Sequence, residues 1–230
     1  MLTRASFSLL ATLKARSGRW RWWAAALVFL VACLVVGWLV ARKSQRPSIS
    51  RPLETRFDFE NGLGGWAKER ASLGCIRLGQ SRDLAYEGEA SLEIQMYLDG
   101  QDDARHSGEA WVDVRRPSAE GPGPIDLTSR TIVAWVYSPE AAVGDAQHPN
   151  GFQLFAKDER YQAEFGEWRN AEPDRWVRLT LTLATGPLAA AGLAPSFRSD
   201  RVVLVGVKMT MGAESSAIFD GSVYLDSVGW

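Results

Sequence analysis

The chain has 230 residues, 46% of them hydrophobic, with 10 Trp, 2 Cys, and 26 Lys plus Arg against 27 Asp plus Glu. The near-neutral total hides a split: nine bases and no acid precede Glu54, and 17 bases with all 27 acids follow, giving about +9 and −10. An acidic body repels phosphate backbones and argues against nucleic acid as a partner, while Cys33 and Cys75, in unlike surroundings, offer neither a disulfide framework nor a Cys-based zinc site.

In chain order, residues 1–21 are basic and 22–41 (WWAAALVFLVACLVVGWLVA) form a run of twenty uncharged residues. As a helix such a run spans roughly 30 Å, the thickness of a bilayer's hydrocarbon layer. Trp20, Trp22, Trp23 and Trp38 lie near its ends, and Arg19, Arg21, Arg42 and Lys43 bracket it, as interfacial anchors do. The expectation is a transmembrane helix acting as signal anchor, with a cytoplasmic N terminus and a periplasmic or extracellular domain. A cleaved signal peptide is the competing reading; its apolar core is usually about 7–15 residues, and Leu39-Val40-Ala41 is a poor cleavage site. Residues 42–52, with Pro47 and Pro52, read as a linker, and 53–230 as one domain.

Beyond Leu53 the apolar residues recur at every second position, and Gly, Pro, Asp and Asn separate the runs, as in β-strands. Strands are expected at Thr55–Glu60, Leu73–Leu78, Ala90–Leu98, Gly108–Arg115, Arg130–Ser138, Gly151–Lys157, Trp176–Ala184, Arg201–Met211 and Ser222–Trp230. Many short strands wet on one face imply an all-β fold of two antiparallel sheets packed face to face.

Four segments then stand out: Phe57-Asp58-Phe59-Glu60-Asn61-Gly62 running to Gly65-Trp66, Ala85-Tyr86-Glu87-Gly88-Glu89-Ala90-Ser91-Leu92, Trp176-Val177-Arg178-Leu179-Thr180-Leu181, and Val223-Tyr224-Leu225-Asp226-Ser227-Val228. Together and in this order, over residues 55–230, they resemble the carbohydrate-binding modules of the galactose-binding-like jelly-roll type. The resemblance implies a β-sandwich that binds sugars without cleaving them, with one structural Ca2+ held by Glu60, Glu87 and Asp226, and Asp58 in reserve. The bland alternative is that these acids are solvated.

Sugar binding needs flat aromatic surfaces for pyranose C–H faces and polar groups for the hydroxyls. Alternation places Trp111 outward with Asp113 and Arg115, and Tyr97 outward with Gln95, expected on a neighbouring strand of the same sheet. Gln153, Tyr161 and Trp168 complete the candidate ligand residues. Trp135, in an almost wholly apolar strand, reads as core; Trp66, Trp176 and Trp230 read as structural.

Catalysis is not expected. His106 and His148 lack ligand spacing, and Glu87-x-Glu89-x-x-x-Glu93 does not match the Glu-x-Asp-x-x-Glu strand of sandwich-fold glycosidases. The expected partner is a neutral glycan, since a −10 body disfavours anionic polymers. The second reading is a jelly-roll interaction or structural domain of an envelope complex, and the third a small glycoside hydrolase.

Overall fold

The computed structural model describes residues 54–117, 119, 121–145, 147–183 and 197–230. In chain order the described strands are β1 (Thr55–Phe57), β2 (Trp66–Lys68), β3 (Cys75–Ser81), β4 (Ser91–Asp99), β5 (Ser107–Asp113), β6 (Thr131–Ser138), β7 (Gly151–Asp158), β8 (Ala163–Phe165), β9 (Arg169–Asn170), β10 (Arg175–Thr182), β11 (Val202–Thr210) and β12 (Ile218–Gly229). They form two six-stranded antiparallel sheets. Sheet A has the order β10-β6-β12-β4-β3, with β1 also on β12; sheet B has β2-β5-β11-β7-β8, with β9 also on β7. The expected antiparallel sandwich is the observed fold.

Successive side chains on a strand point to opposite faces, and the burial follows. Leu92, Ile94, Met96 and Leu98 of β4, with Val177, Leu179 and Leu181 of β10, face inward from sheet A. Phe152, Leu154 and Ala156 of β7, with Val205, Val207 and Met209 of β11, meet them from sheet B. Each fully buried Leu, Ile, Val or Phe contributes about 1.5–3 kcal/mol, so this seam supplies most of the drive to fold.

Loops are fixed by buried polar side chains. Asn150 donates from Nδ2 to Ala142 O (3.0 Å) and accepts from Gly212 N (3.0 Å). Asp158 accepts from the amides of Arg160, Gln162 and Arg198. Each removes an orphan that would otherwise cost free energy in the interior.

Three differences from expectation have local causes. The first strand stops at Phe57 rather than Glu60, because Phe59 turns to φ +59° and Asp58 accepts the Glu60 amide at 3.2 Å. The strands β2, β8 and β9, of three, three and two residues, are too short to show alternation. Strands β4 and β5, consecutive in sequence, lie in different sheets: the chain crosses over at a three-residue 3-10 turn, Asp103–Arg105, capped by Asp102.

The expected single-pass membrane localisation, with the N terminus cytoplasmic and the domain periplasmic or extracellular, is corrected: among the described residues no helix is long and apolar enough to cross a membrane. The described helical turns span three residues each, far below the roughly twenty a spanning helix needs. The 22–41 run that carried the expectation lies outside the described residues, as do 1–21 and 42–52.

Candidate functional site

The outer face of sheet A gathers aromatic rings. Inward Ile132, Ala134 and Val136 of β6 force Trp135 and Tyr137 outward. Register aligns Trp176 of β10 with Tyr137, Tyr137 with Tyr224 of β12, and Tyr224 with Glu93 of β4, so four outward side chains form one row across the sheet. The Tyr137 ring lies 5.6 Å from Trp176 at 60° and 6.1 Å from Tyr224 at 67°. In the next row Arg178, Trp135 and Asp226 align.

A fifth ring comes from the loop between β3 and β4. Tyr86 stacks flat on Trp135, centroids 4.0 Å apart and planes within 14°, and meets Trp176 edge-on at 5.8 Å. Tyr86 as a whole is 38% exposed. Tilted and stacked rings of this kind hold one another in fixed orientations, worth about 0.5–1.5 kcal/mol per pair.

The loop carrying Tyr86 is pinned by acids. Wholly buried Asp226 accepts from the amides of Tyr86 (2.8 Å) and Glu87 (3.0 Å) through Oδ2 and from Ser227 (2.6 Å) through Oδ1. Glu60 Oε1 accepts from Glu89 N (2.7 Å) and Ala90 N (3.0 Å), and Ser227 Oγ donates to Glu87 Oε2 (3.3 Å). Burial pushes the Asp226 carboxyl above its ordinary range, while the three amides pull it back. Gly88, at φ +71°, is required here: a Cβ would stand 2.2 Å from Glu60 Oε1.

The three acids expected to hold calcium thus share one neighbourhood. As arranged, though, they do not fit a cation site. Main-chain N–H groups, positive ends of dipoles, face both oxygens of Asp226 and Oε1 of Glu60, where a cation would need them free, and among the described residues no three His, Cys, Asp or Glu come together to hold a metal.

Polar groups ring the aromatic row. Ser222 Oγ donates to Glu93 Oε1 (2.6 Å) and Tyr137 Oη to Asp174 Oδ1 (3.3 Å). Both phenols are pushed above their ordinary range, Tyr137 by burial and then Asp174, Tyr224 by burial and then Glu93 and Asp83; each stays a protonated donor at neutral pH. Beyond the edge strand β10 a cleft of about 670 Å³ opens, lined by Trp168, Asn170, Glu172, Trp176, Arg178 and Thr180 among others. Trp168, 41% exposed, donates Nε1–H to Asn170 Oδ1 (2.7 Å) and lies against Gly151, where a Cβ would sit 2.4 Å from its ring. Trp176 belongs to both the cleft and the aromatic row.

The residues picked from sequence divide between the two faces. Gln95 and Tyr97 lie on the outer side of sheet A, Tyr97 beneath the Arg105 guanidinium at 4.9 Å. Trp111, Asp113 and Gln153 lie on the outer side of sheet B, so Tyr97 and Trp111 do not share a sheet. Trp111 sits opposite Gly206, over which the buried Phe155 ring folds from the next strand, and its indole Nε1 is buried without a hydrogen-bond partner. Asp113 and Arg115 form a bidentate pair, which holds Asp113 below the ordinary carboxylate range. Tyr161, 67% exposed, is close enough to Arg115 to add to its field. Gln153 is spent on Gly166 O (2.9 Å). Trp168 borders the aromatic row through the shared cleft, and Gln95 is the next outward residue after Glu93 on β4. The rings of this row, Tyr86, Trp135, Tyr137, Trp176 and Tyr224, are not among the residues picked from sequence; the signal for the row is the equal parity of Trp135 and Tyr137, opposite to Ile132, Ala134 and Val136.

No family model and no curated protein matches the chain. Solved structures with a similar fold include a family 27 carbohydrate-binding module from Caldicellulosiruptor saccharolyticus in complex with mannohexaose, at 18% identity over 75% of this chain and 93% of that one, TM-score 0.48. The family 22 xylan-binding domain of a Paenibacillus barcinonensis protein is 11% identical over 75% and 89%, TM-score 0.41. The K3 adhesin domain of Lys-gingipain from Porphyromonas gingivalis is 13% identical over 75% and 95%, TM-score 0.39. Two of these three neighbours are carbohydrate-binding modules and the third is an adhesin domain. At these identities nothing about ligand or residue roles passes from them to this chain.

Proposed function

We propose that the chain carries a non-catalytic carbohydrate-binding domain, and that a neutral glycan lies on the outer face of sheet A against Tyr86, Trp176, Tyr137 and Tyr224. The observation that carries the reading is the joined set of rings on a solvent-facing sheet surface, held in place by Trp135 beneath Tyr86 and by the Asp226 clamp. Rings that serve only the core belong on the inner face; here the inner face is already filled, mostly by aliphatic side chains, with Phe59, Trp66, Phe152 and Phe219 among them. Glu93, Arg178 and the two phenols supply acceptors and donors for hydroxyls around the apolar patch. Glu93, Asp83 and Asp174 make the rim acidic, which favours an uncharged ligand.

The test is calorimetric titration of the full chain with neutral β-linked oligosaccharides, beside Trp176→Ala and Trp111→Ala. Losing a stacking ring removes about 1.5–3 kcal/mol, so Trp176→Ala should weaken binding roughly 10- to 100-fold and Trp111→Ala should leave it unchanged. Loss in Trp111→Ala with Trp176→Ala unaffected would move the site to sheet B. A folded protein that takes no glycan would favour the protein-interaction reading.

A further inference from the structure

A second cleft, of about 310 Å³, opens where β1 enters, β6 begins and β12 ends; Arg56, Arg116, Arg130, Asp126, Ile125 and Trp230 are among its walls. Its chemistry is the reverse of the aromatic row's. Three arginines and one aspartate line it, in a domain whose overall balance is −10. Asp126 Oδ1 accepts the Thr128 amide at 2.8 Å, and that turn, more than Arg130, holds its carboxyl below the ordinary range. Arg56 pairs with Glu54 at 2.6 Å and lies 5.8 Å over the Trp230 ring. Among the described residues Arg116 and Arg130 form no ion pair. The floor is apolar, with Ile125 and Leu127 buried.

A guanidinium presents a planar fork that matches a carboxylate's two oxygens, and two such forks beside an indole can hold a ring bearing one carboxylate. We propose that this cleft binds an acidic sugar unit: its carboxylate lies between Arg116 and Arg130, and its pyranose ring packs beside Trp230 and the Arg56 guanidinium that covers it. The identity of the carrier as a sugar rests on the proposed glycan reading; the anion site itself stands on the cleft's own residues. From Arg130 to Tyr137 is seven residues of nearly continuous strand, about 23 Å, so the two sites are separate and their variants act independently.

The test titrates the full chain with a trimer of galacturonic acid, its methyl ester, sodium sulfate and sodium phosphate, in wild type, Arg116→Gln/Arg130→Gln and Trp176→Ala. The free acid should bind at least tenfold more tightly than the ester, weaken at least tenfold in the double variant, weaken with added salt, and be unaffected by Trp176→Ala. Melting temperatures of the variants confirm folding, both arginines being at the surface. Equal binding of acid and ester, or no loss in the double variant, overturns the proposal. Sulfate or phosphate binding as tightly as the trimer overturns the sugar assignment. If neutral glycans fail while the acid trimer binds and is lost in the double variant, the sheet A reading falls and this one stands.

Discussion

Replacing Asp226 with Ala tests the link between the buried carboxylate and the Tyr86 platform. Three amides lose their acceptor, those of Tyr86, Glu87 and Ser227. Hydrogen bonds to a charged acceptor are worth about 1.5–3 kcal/mol each, but two of these belong to exposed residues whose N–H groups can return to water. The variant is also relieved of a buried charge, which offsets several kcal/mol. The net expectation is a loss of about 2–4 kcal/mol, which at about 2–4 °C per kcal/mol for a domain of this size lowers Tm by about 5–15 °C. The distinctive readout is local: in hydrogen exchange the Tyr86 and Glu87 amides should exchange at least tenfold faster, while β4 amides keep their protection relative to global unfolding. Calorimetry with residue-resolved exchange measures both. Unchanged protection at 86 and 87, whatever the shift in Tm, would refute the clamp.

Three further outcomes follow from the same geometry. Since N–H groups face the oxygens of Asp226 and Glu60, exchanging EDTA for millimolar calcium should leave Tm within about 1 °C; a rise of several degrees would mean that a cation displaces those amides. Burial pushes the Cys75 thiol up to about 11 from 9.0, so in a Cys33→Ser background it should resist alkylation at pH 8 until the protein unfolds. Because its folded pKa is raised, the stability it contributes is present below about pH 9 and is lost as pH rises toward 11. A Tm that does not fall more steeply over that window than in Cys75→Ala would contradict this. Finally, Gly206→Ala would place a Cβ 2.3 Å from Phe155 Cζ and 2.6 Å from Ala110 O. Overpacking of that kind costs about 1–3 kcal/mol, whereas Gly79→Ala, with Glu93 Oε2 at 3.5 Å as its nearest neighbour, should be nearly neutral in urea denaturation.

Alternation alone located the long strands and the direction of most side chains: Leu92 to Leu98 turn inward and Trp111 outward, as read. What alternation lacks is the identity of the sheet. Tyr97 and Trp111 both point outward, yet from opposite faces, because sequence proximity favours pairing of β4 with β5 and only the tertiary crossover decides otherwise. Trp135 reads as core because its strand, TIVAWVYS, is apolar on both sides; hydrophobicity does not distinguish a buried core face from a ring face covered by a loop residue such as Tyr86. The three acids suggested by resemblance do gather round one loop. Their role there is set by where the main-chain amides point, which depends on the Gly88 turn rather than on residue type.

The protein's own indoles report on the aromatic face of sheet A. Titrating the full chain with a neutral β-linked hexasaccharide while following the tryptophan Nε1–H resonances by NMR distinguishes the faces in a single experiment. Binding on sheet A should shift Trp176, Trp135 and the neighbouring Trp168, with Trp66 and Trp111 unmoved. Shifts centred on Trp111, or saturable binding that moves none of the three, would contradict it.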